Sequence, residues 1–389
     1  MNSAAVPESS RSQASYARSL FRPTTVLVED EAADSALTLA ILERLAGSRV
    51  VEIGRPTPET LSRLAGLYNP RTTLLLARHR GRFLKACPGT AESYRCCLYQ
   101  ILHLGLGCNI GCSYCVLQGY LNTPFITQFV NLEDAFAELD RELDKPGVFY
   151  RIGTGEFTDS LFMDPLTGLA PRLIAYFAGR ENAVLELKTK SVAIANLLDY
   201  PGEIGETIVS WSLNAPLVSS REEGCAAALA ERLAAAALCR RRGYRIGLHF
   251  DPLLYFPGWE DEYRRIVALI FSHLRPEDII WISLGAFRFM PQVREELRRN
   301  HPDSNITAGE FISGRDGKQR YFSAIRRRLY RLLVSEIRRY APDVFIYFCM
   351  EDRFLWQDTF GYAPADNLEL SRWLDECCFR YRRLTAAED

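Results

Sequence analysis

Three cysteines stand in a C-x3-C-x2-C spacing within Gly107-Cys108-Asn109-Ile110-Gly111-Cys112-Ser113-Tyr114-Cys115, directly after the largely apolar run Leu98 to Leu106. Three thiolates this close in sequence can converge on one soft metal centre, and the glycines let the backbone turn tightly enough for the sulfurs to face inward. Structural zinc normally takes four ligands, usually from two C-x2-C-like pairs, and no second pair stands at a suitable distance. A four-iron cluster held by three cysteines leaves one iron open to a ligand, which suits catalysis better than simple electron transfer. A zinc knuckle and unrelated buried cysteines are the competing readings.

Other polar residues fall at the ends of apolar runs. Gly153-Thr154-Gly155-Glu156 closes one such run, and carbonyls bared by its tight turn could accept hydrogen bonds from a cofactor ammonium group; a plain strand-to-helix turn is the bland alternative. Lys188 and Lys190 are two apart and share a face of an extended strand, so Lys190, nearer the end, could meet a cofactor carboxylate or simply face solvent. Ser212-Leu213-Asn214, His249-Phe250-Asp251-Pro252 and Gly285-Ala286-Phe287-Arg288 end three further runs.

The elements that must position these residues form a regular alternation. Candidate strands are Leu98 to Leu106, Val148 to Ile152, Val184 to Lys188, Thr207 to Leu213, Tyr244 to Phe250 and Ile279 to Leu284. Helical stretches follow them at Leu132 to Leu143, Leu166 to Phe177, Val192 to Leu198, Ser220 to Arg242, Glu260 to His273 and Pro291 to Arg299. Parallel strands require crossover connections, so this alternation implies an α/β fold, a partial (β/α)6 TIM-like barrel with its chemistry at the carboxyl ends of the strands.

Before the barrel, Thr25 to Glu29, Arg49 to Ile53 and Thr73 to Ala77 read as strands, with helices at Ser35 to Leu45 and Glu59 to Leu67. The expected organisation is a disordered leader at 1–23, a small α/β extension at 24–90, the barrel at 91–300 and a C-terminal extension at 301–389. That last segment carries a basic amphipathic helix (Arg326, Arg327, Arg328, Arg331, Arg338, Arg339), a strand at Val344 to Phe348 and a helix near Leu368 to Phe379. Its arginines, like the cluster Arg78, His79, Arg80, Arg82 and Lys85, could meet an acidic partner or form a solvated face balanced by acids.

A chain of 389 residues, 48% hydrophobic, can bury a large core, and a net charge of -1 supplies no global attraction to nucleic acid. The eleven cysteines cluster at one loop and scatter elsewhere, which reads as a reducing compartment; Cys87, Cys96, Cys97, Cys225, Cys239, Cys349, Cys377 and Cys378 read as core residues or unpaired thiols. With no apolar h-region near the N-terminus and no run long enough to span a bilayer, a cytoplasmic location is expected.

The cysteine spacing is the signature of radical S-adenosylmethionine (SAM) enzymes, and the chain resembles that superfamily. Gly153 to Glu156 looks like the superfamily's G-G-E segment, which holds the SAM amino group. Within the superfamily the chain is similar to the spore photoproduct lyase family, from about residue 24 to about residue 350. The likeness rests on Cys108 to Cys115 followed by Leu117-Gln118, then Thr158-Asp159, Thr189-Lys190, Ser212-Leu213-Asn214 and Gly243-Tyr244. It continues through Pro252 to Pro257 with Gly258-Trp259-Glu260, Arg288-Phe289 and Gly317-Lys318.

That resemblance implies a 4Fe-4S cluster on Cys108, Cys112 and Cys115. It further implies SAM held by Gly153, Thr154, Gly155, Glu156, Lys190, Ser212 and Asn214, with Arg288 near the substrate. It implies reductive cleavage of SAM to a 5'-deoxyadenosyl radical, fed by a flavodoxin or ferredoxin, and hydrogen abstraction from a DNA or nucleotide-like substrate. Two positions depart from the family. Its hydrogen-donor cysteine falls at or beside Glu156, and of the tyrosines flanking the third cluster cysteine only Tyr114 is kept, Val116 standing in the other place. Tyr114, Glu156 and Arg288 are therefore the candidate catalytic positions. A radical SAM enzyme acting on a peptide or small metabolite, and a non-catalytic iron-sulfur or zinc protein, are the alternatives.

Overall fold

The apolar runs pair as parallel strands because each is buried on both faces and each returns through a crossover. The computed structural model describes residues 21–89 and 93–385, with side chains described to residue 379. Most of the expected leader lies outside the described residues, whereas Phe21 is buried against Phe162.

In chain order the strands are β1 (Thr25–Glu29), β2 (Arg49–Ile53), β3 (Thr73–Ala77), β4 (Leu84–Ala86), β5 (Gln100–Leu102), β6 (Gly105–Leu106), β7 (Ile126–Phe129) and β8 (Tyr150–Gly153). There follow β9 (Ala183–Thr189), β10 (Ile208–Ser212), β11 (Arg245–Leu253), β12 (Ile279–Ala286), β13 (Arg288–Phe289), β14 (Phe311–Ser313), β15 (Gln319–Tyr321) and β16 (Ile346–Phe348). The principal sheet is a curled half-barrel of eight strands in the order β16-β12-β11-β10-β9-β8-β5-β4. All its pairs are parallel except β4 with β5. The six-unit expectation thus undercounts it, because β16 adds a parallel strand at one edge and β4 an antiparallel one at the other.

A five-stranded sheet, β2-β1-β3-β7-β6, lies beside it. Its last two strands come from within the barrel stretch, which corrects the expectation of one strand from Leu98 to Leu106. That run is divided between the two sheets, β5 joining β8 and β6 joining β7, with His103 and Leu104 between them. A small antiparallel sheet, β13-β15-β14, stands near the end of β12.

The helices cover the outer face of the half-barrel through amphipathic stripes. Helix Leu132–Leu143 buries Leu132, Ala135, Leu139 and Leu143, and helix Trp259–His273 buries Trp259, Tyr263, Ile266, Val267 and Ile270, both at helical spacing. Truncating one such leucine, Leu139 for example, costs about 2–5 kcal/mol. The inner face is different. Glu186, Lys188, Ser210, Ser212 and His249 alternate with apolar residues along β9, β10 and β11, and the register sets Lys188 beside Ser210 and Ser212 beside His249. The C-terminal helix Asn367–Thr385 is tied to this sheet, Asp375 pairing with Arg151 at 2.8 Å and Ser371 accepting from it.

Most arginines of helix Ser323–Tyr340 are neutralised from within, while Arg338 donates to the Ala341, Pro342 and Val344 carbonyls. Arg326 meets Glu351 and Asp352 (both 3.1 Å), Arg327 and Arg331 meet Asp358, Arg328 meets Glu260 and Arg339 meets Glu336. The arginines of the earlier basic cluster are consumed likewise, Arg78 by Asp134, Arg80 by Glu29 and Glu31, and Arg82 by Glu142, while Lys85 meets His103. No helix among the described residues is long and apolar enough to cross a membrane.

Candidate radical site

Beyond β6 the chain enters the cysteine loop with Gly107 and Gly111 at φ +82° and +73°, conformations that a side chain would strain. The loop rests on the turn between helices Pro216–Glu222 and Leu229–Arg241. Ser113 N–H donates to Glu222 O at 2.8 Å and Cys225 N–H to Ile110 O at 2.9 Å. Gly224 makes this approach possible, since a Cβ there would lie 2.1 Å from Ile110 O. Helix Ser220 to Arg242, expected as continuous, is broken for this contact.

A buried ion pair anchors the turn. Arg232, 0% exposed, binds Glu223, 1% exposed, at 2.5 Å and donates to the Ser212 carbonyl at 2.9 Å. Tyr114 O–H donates to the same Glu223 carboxylate. Burial works against the Glu223 charge, but Arg232 and then Lys190 outweigh it and hold the carboxyl below its ordinary range. The end of β10 and the cysteine loop are therefore fixed to one buried charge pair.

A second device joins the loop to β8 and β9. Thr158 O–H donates to Gly107 O at 2.8 Å, while the neighbouring Asp159 carboxylate accepts from Thr189 O–H and Lys190 N–H, each at 2.7 Å. Lys190 is delivered to the cysteines, its Nζ 5.7 Å from the centre of the Tyr114 ring. Its charge works downward on the thiols of Cys112 and Cys115, yet burial prevails, raising Cys115 and pushing Cys112 up to about 12. Burial and neighbouring acids raise Cys108 as well.

Among the described residues no three His, Cys, Asp or Glu side chains are grouped to hold a single metal ion. The three thiols are close enough to act on one another's charge, and three thiolates with one position left open suit a multi-iron cluster. All eleven cysteines are free thiols.

The second glycine segment is required by packing. A Cβ on Gly153 would fall 1.4 Å from the Tyr99 hydroxyl, and one on Gly155 would fall 2.9 Å from Lys188 O. Thr154 O–H bonds Ser160 Oγ at 2.8 Å. Tyr99 itself has a buried hydroxyl without a hydrogen-bond partner among the described residues.

Lys188 and Lys190 part company. Lys188 ion-pairs with Glu156, and although burial opposes its charge, Glu156, Glu186 and Asp251 hold the ammonium above its ordinary range. Behind them His249 Nε2 meets Glu186 at 2.8 Å and Ser210 Oγ donates to Glu186 at 2.5 Å; His249 outweighs burial and draws the carboxyl down to about 2. Arg288 donates from both terminal nitrogens to Asp251, at 3.2 and 3.0 Å. Asn214 sits apart from this group. Its Oδ1 accepts from Ala215 N–H and Tyr263 O–H and its Nδ2 donates to Pro252 O, so one amide hydrogen is left beyond these bonds.

Sequence reasoning gave no role to Glu223, Arg232, Asp159, Glu186 or Tyr99. The alternation Glu186-Leu187-Lys188 and His249-Phe250-Asp251, polar residues two apart in apolar strands, was the available signal for an occupied inner face.

The comparisons with known proteins agree with this architecture. The family model described as SPL, spore photoproduct lyase, matches residues 90–349. Spore photoproduct lyase of Bacillus subtilis is 28% identical over 209 residues, which cover 52% of this chain and 60% of that protein. The enzyme of the same name from a Geobacillus species is 25% identical over 340 residues, 83% of this chain and 97% of that protein. A solved spore photoproduct lyase variant with bound AdoMet and dinucleoside spore photoproduct superposes with a TM-score of 0.72 at 24% identity, covering 84% of this chain and 99% of its own. The chain belongs to the spore photoproduct lyase family, and with it to the radical SAM enzymes.

Proposed function

We propose that the chain is a radical SAM enzyme that abstracts hydrogen from a DNA or nucleotide-like substrate, spore photoproduct being the substrate its relatives' names point to. The observation that carries this reading is the set of three thiols within reach of one another's charge, with Lys190 brought to them from the carboxyl end of the parallel strand β9, inside a stretch that matches the family from residue 90 to 349. We read the half-barrel as a (β/α)6 core with 24–90 and 301–389 packed on it as extensions, working in the cytoplasm.

Cys108, Cys112 and Cys115 would hold the 4Fe-4S cluster. Cluster and SAM, when bound, supply one-electron cleavage of the sulfonium to a 5'-deoxyadenosyl radical, the electron coming from a flavodoxin or ferredoxin. The Lys190 ammonium would offer a charge-assisted bond to the SAM carboxylate, and the carbonyls of Gly153 to Glu156 would accept from its amino group. Ser212 and the remaining amide hydrogen of Asn214 would also hold the cofactor. Asp159 and Thr158 fix Lys190 and Gly107, so two sides of the cofactor site are set by one pair of residues. Tyr114 orients the loop through Glu223, and the Glu156–Lys188 and Arg288–Asp251 pairs face the substrate with their charges already neutralised.

The test is incubation of the reconstituted protein with SAM, reduced flavodoxin and dinucleoside spore photoproduct. Release of the thymine dinucleoside is expected. Cleavage of SAM with the dinucleoside left intact would reject this substrate and leave a radical SAM enzyme with another one.

A further inference from the structure

A carbon radical left on a repaired or rearranged substrate needs a hydrogen atom, and the thiol S–H is among the weakest bonds to hydrogen that protein side chains carry. By the family resemblance the donor thiol's place falls at or beside Glu156, and no cysteine stands between Cys115 and Cys225. A replacement must stand on the same rim and reach the same substrate.

We propose that Cys349, at the carboxyl end of β16, is the hydrogen-atom donor to the substrate-derived radical in this chain. The assignment rests on the radical reading above. Cys349 is half-buried, its N–H bonds Leu284 O at 2.8 Å, and its Sγ accepts from Arg288 Nη2 at 3.2 Å. The same guanidinium grips Asp251, and Gly285 gives that pair its place, since a Cβ there would lie 2.8 Å from the Asp251 carboxyl carbon. Asp251 and Lys188 act on each other's charge, and Lys188 pairs with Glu156, so one polar arc runs along the rim from Glu156 to Cys349.

The backbone supplies a separate observation. Met350 has φ +57°, a left-handed conformation rare for a residue with a side chain. It is held there by Arg320, which donates to Met350 O at 3.0 Å, and by Lys318, whose Nζ lies 3.7 Å from Met350 Sδ. The chain is thus turned sharply after Cys349, and such constrained backbone collects at working sites. Burial raises the Cys349 thiol well above its ordinary range despite Arg288, so the sulfur keeps its hydrogen at neutral pH. Cys87, close to Met350 where Gly89 leaves room, and Cys97, beside Cys96, are the competing thiols.

In the step, the substrate carbon takes hydrogen from Cys349, a C–H bond forming as the S–H bond breaks homolytically. The thiyl radical left behind returns to the thiol with one electron from reduced flavodoxin or ferredoxin and one proton from solvent.

The experiment uses reconstituted protein, SAM, reduced flavodoxin and dinucleoside spore photoproduct in D2O. Wild type should place one solvent deuterium in the thymine product. Cys349→Ala should lower labelled product per 5'-deoxyadenosine at least about tenfold, with SAM cleavage retained, and Cys349→Ser, which keeps the side-chain volume, should do the same; Cys87→Ala and Cys97→Ala should behave as wild type. Without reductant, so without turnover, SAM and the dinucleoside together should slow iodoacetamide alkylation of Cys349, read by mass spectrometry. Equal labelled product from Cys349→Ala, a loss that follows Cys87 or Cys97 instead, or alkylation indifferent to the dinucleoside overturns the assignment alone. A wild type that cleaves SAM and leaves the dinucleoside intact overturns the substrate reading and this assignment with it.

Discussion

The two sides of the barrel mouth are built by different means. On the cysteine side the loop is fastened by Glu223 and Arg232, 1% and 0% exposed, and by the Thr158–Asp159 bonds to Gly107 and Lys190. On the opposite side the charges are paired but reachable, Lys188 and Glu156 being 22% and 29% exposed and Arg288 and Asp251 13% and 29%. By the family resemblance both sides carry a departure, Val116 beside Cys115 on the first and Glu156, at or beside the family's donor position, on the second. A buried charge pair fixes one side while the charges of the other stay within reach of solvent, so the two can be altered separately.

Breaking the rigid side should have the largest effect. Glu223→Gln leaves Arg232 buried without a counter-charge, and a loss of roughly 3–5 kcal/mol is expected in denaturant unfolding, with reduced iron content after reconstitution. Adding Arg232→Met should recover part of that stability, because a buried pair replaced as a whole costs far less than one broken.

Acid should act on the same interior. Glu186 and Glu223 both titrate below their ordinary range in the fold, Glu186 at about 2. A depressed folded value means that the stability each contributes is complete above the unfolded value near ~4.3 and is lost as pH falls through the folded one. Melting temperature should therefore fall between about pH 4 and pH 2, and Glu186→Gln should flatten that slope.

The accessible side should respond less. Lys188→Ala is expected to cost about 1 kcal/mol or less, since its pair is partly screened by solvent, while substrate turnover falls more than SAM cleavage does. Arg331→Ala, on the neutralised basic helix, should change stability by less than about 0.5 kcal/mol and leave DNA affinity unaltered in a filter-binding titration. A large loss of affinity would move the nucleic-acid contact to that helix.

The alternation of apolar runs was enough to place β1, β2 and β3 at their observed bounds and to anticipate β8 to β12 within two or three residues, because local burial sets their pattern. The division of Leu98 to Leu106 between two sheets was hidden. Both halves are equally apolar, and the strand that receives the second, β7, has four residues, too few for a period to show. At the site, a C-x3-C-x2-C spacing is a local signal and was legible. Glu223 and Arg232 are nine apart within what reads as one helix, Ser220 to Arg242; what makes them a buried anchor is the contact of Gly224 with the cysteine loop, more than a hundred residues away in sequence.

The most direct test of the central claim is 5'-deoxyadenosine formation by the anaerobically reconstituted, reduced protein with SAM. The account predicts 5'-deoxyadenosine from wild type, and from Cys112→Ala neither the cluster's visible absorbance nor the product. An intact, reduced cluster that leaves SAM whole would contradict it.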